Sequence, residues 1–103
     1  MKIVRVQYTA KQEYVEKNRE NILRVMGELR KLNNPGIKYS VYILDDGKSF
    51  MHLAHFETDD LQDIFLGLES FKHFGAELKA SGLETPPKSE NLSLAGSSFD
   101  FFK

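Results

Sequence analysis

Two runs of alternating β-branched and aromatic residues, Ile37 to Leu44 and Ser49 to Glu57, flank Asp45-Asp46-Gly47-Lys48, and no other stretch constrains the fold as tightly. Asp-Gly between such runs supplies the φ > 0 position that tight hairpin turns require, which predicts a β-hairpin over Gly36 to Glu57. Both faces of this hairpin carry apolar side chains, whereas a sheet with one wetted face would alternate apolar with polar. Each face therefore needs a cover. One is expected from the chain's own helices, the other from a second copy of the chain.

The flanking segments supply the helices and two more strands. Ile3 to Tyr8 alternates, with Val4, Val6 and Tyr8 on one face and Ile3, Arg5 and Gln7 on the other, as in a half-buried strand. Thr9-x-x-Gln12 has the spacing of a capping box, predicting a helix that starts at Thr9. Val15, Ile22, Val25, Met26, Leu29 and Leu32 then form one apolar stripe, and Asn33-Asn34-Pro35-Gly36 ends the helix. After the hairpin, Thr58 reads as an N-cap with Asp59 and Asp60 against the helix dipole. Leu61, Ile64, Phe65, Leu68, Phe71, Phe74 and Leu78 make the second packing face, interrupted near Gly67 and recapped at Ser70. Gly82 reads as the helix stop. Thr85-Pro86-Pro87 reads as a stiff connector, and Asn91 to Phe102 as the last strand, bulged at Gly96-Ser97-Ser98.

The order is β-α-β-β-α-β in a single domain over 1–103, an α+β, ferredoxin-like antiparallel sheet with two helices on one face. Too much apolar surface remains on the other face for a chain of 103 residues to leave in water, so a homodimer through the open sheet face is expected. With 14 basic and 15 acidic residues and no basic cluster, no nucleic-acid partner is expected. The absence of cysteine excludes disulfides, thiolate metal sites and thiol catalysis. No apolar stretch approaches the length of a membrane span and none resembles a leader, which predicts a cytoplasmic protein with no membrane partner.

The element order, the long first helix, the Phe- and His-containing third strand and the Phe71-Lys72-His73-Phe74 segment of a broken second helix resemble the dimeric α+β barrel superfamily. Within it, the chain looks most like small proteins grouped with the antibiotic biosynthesis monooxygenase domains. The resemblance implies two sheets facing each other across a twofold axis, with a sheet-side pocket in each subunit that in relatives holds a polyketide-like aromatic, a haem or a lactone. Haem-degrading relatives use an Asn on the first strand and a Trp and an axial His on the second helix. In this chain Gln7 lies near the Asn position, Phe65 stands at the Trp position and Gly75 at the His position. His73, two residues from Gly75, is about 200° around the helix and cannot replace that ligand. No cofactor is expected.

His52-x-x-His55 suggests a metal pair, yet residues an odd number apart in a strand point to opposite faces, so no metal site is expected. Which histidine faces the partner depends on the turn. A three-residue loop, favoured because Gly47 suits a bulged turn, pairs Tyr42 with Phe50 and puts Tyr42 on the face of His52, Ala54 and Phe56. A loop of two or four residues instead groups Ile37, Tyr39, Val41 and Ile43 with Phe50, His52, Ala54 and Phe56. On the favoured register, His52 and Tyr42 are the acid/base candidates, and Arg5, Gln7, Phe50, Phe56 and Phe65 the candidate substrate contacts. The competing assignment makes His52 an interface histidine held by hydrogen bonds. The functional expectation is a homodimer binding a small apolar or aromatic metabolite, with a cofactor-independent monooxygenase or isomerase as the alternative.

Overall fold

The computed structural model describes residues 1–102. Strand β1 (Lys2–Ala10) leads through a 3-10 turn (Gln12–Tyr14) into α1 (Val15–Leu32). The hairpin strands are β2 (Ile37–Ile43) and β3 (Ser49–Phe56), followed by α2 (Asp59–Leu66), α3 (Glu69–Ser81) and β4 (Leu83–Leu92). The sheet order is β2-β3-β1-β4 with every neighbouring pair antiparallel, the ferredoxin-like α+β arrangement expected from the sequence. No helix among the described residues is long and apolar enough to cross a membrane.

The core lies between one face of the sheet and the helices. Tyr8, Phe50, Ala54 and Phe56 from the strands meet Val15, Ile22, Val25, Phe65, Phe74 and Leu78 from the helices, all buried. Helices α1 and α3 are also tied by polar contacts: Glu28 Oε1 accepts from the Ser70 backbone N–H and hydroxyl, and Asn21 Nδ2 donates to Glu77 Oε1. Ser70 thus anchors α3 to α1 and does not cap it; Leu68 occupies the N-cap position. Thr58 precedes α2 as expected, without a side-chain cap.

Three further expectations are corrected. First, Thr9 does not cap a helix. It belongs to β1, its hydroxyl 2.7 Å from the Ser49 hydroxyl across the strand pair, and the helical turn starts only after Lys11. Second, Ile43 pairs with Phe50 and Tyr42 with Met51, so the hairpin loop is the four-residue Asp45–Lys48 and not the favoured three-residue form. Asp46 stabilises the longer loop by accepting from the backbone N–H groups of Lys48 and Ser49 and from the Ser49 hydroxyl. Gly47 still takes a positive φ of 75°, so its glycine signal fits either loop. Third, the last strand is Leu83–Leu92, not Asn91 to Phe102. An edge strand tolerates Pro86 and Pro87 where the ladder slips, and the β1–β4 register shifts between Gln7 and Thr9, opposite these prolines.

Beyond β4 the chain folds back against the face of the sheet that the helices leave uncovered. There Phe101 stacks on His55, with ring centroids 4.1 Å apart. The rest of that face carries Arg5, Gln7, Met51, Leu53 and Tyr42, and Arg5 pairs with Glu90 at 2.8 Å on the neighbouring strand.

Candidate ligand-binding site

The four-residue loop fixes the site, because it places His52 on the helix side of the sheet together with Tyr39, Ala54 and Phe56. The adjacent strand brings Val4, Val6 and Tyr8 to the same face by simple alternation. Between this face and α2–α3 lies a cavity of about 740 Å³, within the range of small-molecule sites. Phe65 and Leu66 of α2, Phe71, Phe74, Gly75 and Leu78 of α3, and Leu83, Pro86 and Pro87 of β4 complete its walls. The break between α2 and α3 sets Phe65 against Phe71, with ring centroids 4.5 Å apart, so both rings stand on one wall.

Few polar groups enter this apolar space. Gln62 and Lys79 contribute from the helices, and Tyr8, Tyr39 and His52 from the sheet. The last three form one connected chain. Asn18 Nδ2 donates to the Tyr8 hydroxyl at 2.9 Å, and that hydroxyl lies 2.8 Å from His52 Nε2. His52 Nδ1 in turn lies 2.5 Å from the Tyr39 hydroxyl. Burial pushes the His52 pKa down to about 4, so the ring is neutral at pH 7, with one nitrogen donating and the other accepting. Burial likewise raises both phenols well above the usual tyrosine range and keeps them protonated.

The candidates from the sequence divide between the two faces. His52, Phe56 and Phe65 line the cavity. Phe50 sits beneath it, fully buried and stacked on Tyr8 with ring centroids 5.6 Å apart. Arg5, Gln7 and Tyr42 lie on the opposite face, where Tyr42 is half exposed and Arg5 donates to the Gln7 side-chain oxygen. Tyr42 therefore cannot act with His52, and Gln7 cannot reach the cavity from β1. His55 shares the uncovered face with them, so the two histidines of β3 do point apart.

Tyr8, Tyr39 and Asn18 are the residues missed as partners of His52. The signal for Asn18 was present: it falls between Val15 and Ile22 on the buried stripe of α1, where a polar residue needs a partner. A haem does not fit this donor set. His52 is the histidine that lines the cavity, both its nitrogens are held by tyrosines, and His73 points to Glu77, with Nε2 3.1 Å from the carboxylate.

Neither a protein-family model nor a curated protein matches the sequence. Solved structures do match in fold. A structure named antibiotic biosynthesis monooxygenase is similar with a TM-score of 0.79 at 14% identity, covering 93% of this chain and 100% of its own. A protein from Mycobacterium tuberculosis gives 0.78 at 14%, covering 95% and 98%. One from Bacteroides thetaiotaomicron, provisionally described as an antibiotic biosynthesis monooxygenase, gives 0.82 at 8%, covering 96% and 93%. The four-stranded sheet, the split second helix and these likenesses over nearly the whole chain give this protein the fold of the antibiotic biosynthesis monooxygenase-like structures.

Proposed function

We propose that this protein binds a flat, largely apolar aromatic molecule bearing an oxygen function, in the cavity between the sheet and α2–α3. The observation that carries this reading is the Tyr8–His52–Tyr39 chain set into an otherwise aromatic and aliphatic wall. Such a site recognises a ring by Phe65, Phe71 and Phe74 and orients its oxygen by one polar edge. The protein is further proposed to act as a cytoplasmic homodimer joined through the uncovered sheet face, where Leu53, Met51 and Tyr42 stand. Calorimetric titration with 1-naphthol tests the binding. Saturable binding is expected, and it should be lost in Gly75→Phe, because Gly75 lines the cavity and a Cβ there meets nothing within 4 Å beyond its chain neighbours and the adjacent helix backbone, so the ring would fill the space. Absence of binding by the wild type would overturn the reading.

A second reading, cofactor-independent oxygenation of a dihydroxyarene, is favoured by one observation: a neutral imidazole joined at both nitrogens to phenols can pass a proton along the array. In balance, the dihydroxyarene and O2 give a hydroxyquinone and water, one oxygen atom going to a ring carbon. Oxygen uptake with 1,4-dihydroxynaphthalene, corrected for autoxidation, should then be faster with wild type than with His52→Ala. Equal rates would dismiss His52 from any such reaction.

A further inference from the structure

Hydrogen-bond accounting along Asn18, Tyr8, His52 and Tyr39 gives the site a direction. Tyr8 is 2% exposed, and its hydroxyl has two hydrogen-bonding neighbours, Asn18 Nδ2 and His52 Nε2. An amide N–H only donates, so Tyr8 already accepts from Asn18, and its own O–H has one acceptor within reach, the Nε2 lone pair. If Nε2 carried the proton instead, Tyr8 would accept twice and its O–H would be stranded, adding a further unsatisfied group to a core that already holds the unpartnered Asn18 oxygen. His52 is neutral at pH 7, so its single proton is then on Nδ1, donated to the Tyr39 oxygen. Tyr39 makes no other side-chain hydrogen bond among the described residues, and it lines the cavity. Its O–H is the donor left over.

We infer that Asn18 is a positioning residue that fixes the Nδ1–H tautomer of His52, so that Tyr39 presents a hydrogen-bond donor to the cavity and the site selects ligands bearing an acceptor oxygen, such as an aryl ketone or quinone. This rests on the binding reading above and narrows its ligand class. Asn18 acts through Tyr8 and His52 and does not line the cavity. Its side-chain oxygen is buried without a partner, and its amide nitrogen makes one side-chain hydrogen bond, to Tyr8.

Two measurements test it. In the wild type, long-range 1H–15N spectra of the imidazoles at pH 7 should show His52 protonated at Nδ1; protonation at Nε2 would overturn the inference with no variant needed. Asn18→Ala should move the ring toward Nε2–H or a mixture, a change that a merely structural role would not produce, and an unchanged tautomer in the folded variant would remove Asn18 from the account. For the ligand class, 1-tetralone and tetralin have the same shape and differ in one acceptor oxygen. The ketone should bind about tenfold more tightly, the scale of one hydrogen bond, and Tyr39→Phe should abolish the difference. Equal affinity in the wild type would overturn the inference and leave the aromatic cavity standing; binding of neither probe, nor of 1-naphthol, would overturn both.

Discussion

Tyr39 stands diagonally across the β2–β3 pair from His52 and places its hydroxyl on Nδ1, although its direct partner in the ladder is Ala54. Diagonal neighbours on one face of an antiparallel pair are within reach of long aromatic side chains. The contact exists because the loop has four residues. With one residue fewer, Tyr42 would stand on the side of His52 and Tyr39 on the other.

The buried chain of hydrogen bonds makes Tyr8 structurally costly to change. Tyr8→Phe keeps the ring packed on Phe50 but removes the hydroxyl between Asn18 Nδ2 and His52 Nε2. Two buried polar atoms then lose their partner, and stability should fall by about 1–3 kcal/mol in urea denaturation.

Stability should also depend on pH through His52. Its pKa is lowered from 6.5 to about 4 by burial, so between these values the unfolded chain binds the proton and the folded chain does not. The unfolded state then binds more protons, and stability rises with pH. The contribution is fully present above about pH 6.5 and is lost progressively as the pH falls toward 4, amounting to about 3 kcal/mol at the lower limit. The lowered carboxyls of Glu28 and Glu77, from about pH 4.5 downward, and of Asp46, from about pH 3.8, add in the same direction. Denaturation from pH 7 to 4.5 should show a flatter profile in His52→Gln than in the wild type.

Gly75 lies within α3, where glycine weakens a helix, and no atom beyond its chain neighbours and the adjacent helix backbone stands within 4 Å of a Cβ added there. Gly75→Ala should therefore raise stability by up to about 1 kcal/mol. A thermal melt that falls instead would show that the space beside α3 is closed in solution.

The dimer is tested on the uncovered face. Light scattering at micromolar concentration should give twice the mass of one chain, and Leu53→Glu should return it to one. Leu53 pairs with Arg5 and Ser40 in the middle of that face, away from the cavity side. A wild type that is monomeric at this concentration would end the dimer proposal.

The sheet, its hairpin and the helix stripes were legible because periodicity reports which side chains must be buried together. The turn length was not, since Gly47 with positive φ serves both loops and the deciding interaction is the Asp46 carboxylate closing on Ser49. That one residue puts His52 on the helix side and not on the uncovered face, and separates it from Tyr42, Arg5 and Gln7. β4 was hidden by Pro86 and Pro87, which read as a connector until the bulge opposite β1 makes room for them. Alternation puts Tyr8 on its correct face beside Val4 and Val6, but its bond to His52 joins β1 to β3 and leaves no mark in local sequence.

The most direct test of the cavity site follows the three histidines by NMR during titration with 1-tetralone. The ring signals of His52 should move saturably, while those of His55, stacked under Phe101 on the other face, and His73, paired with Glu77 on α3, should stay in place. Saturation that leaves His52 unmoved, or that moves His55 most, would contradict the account.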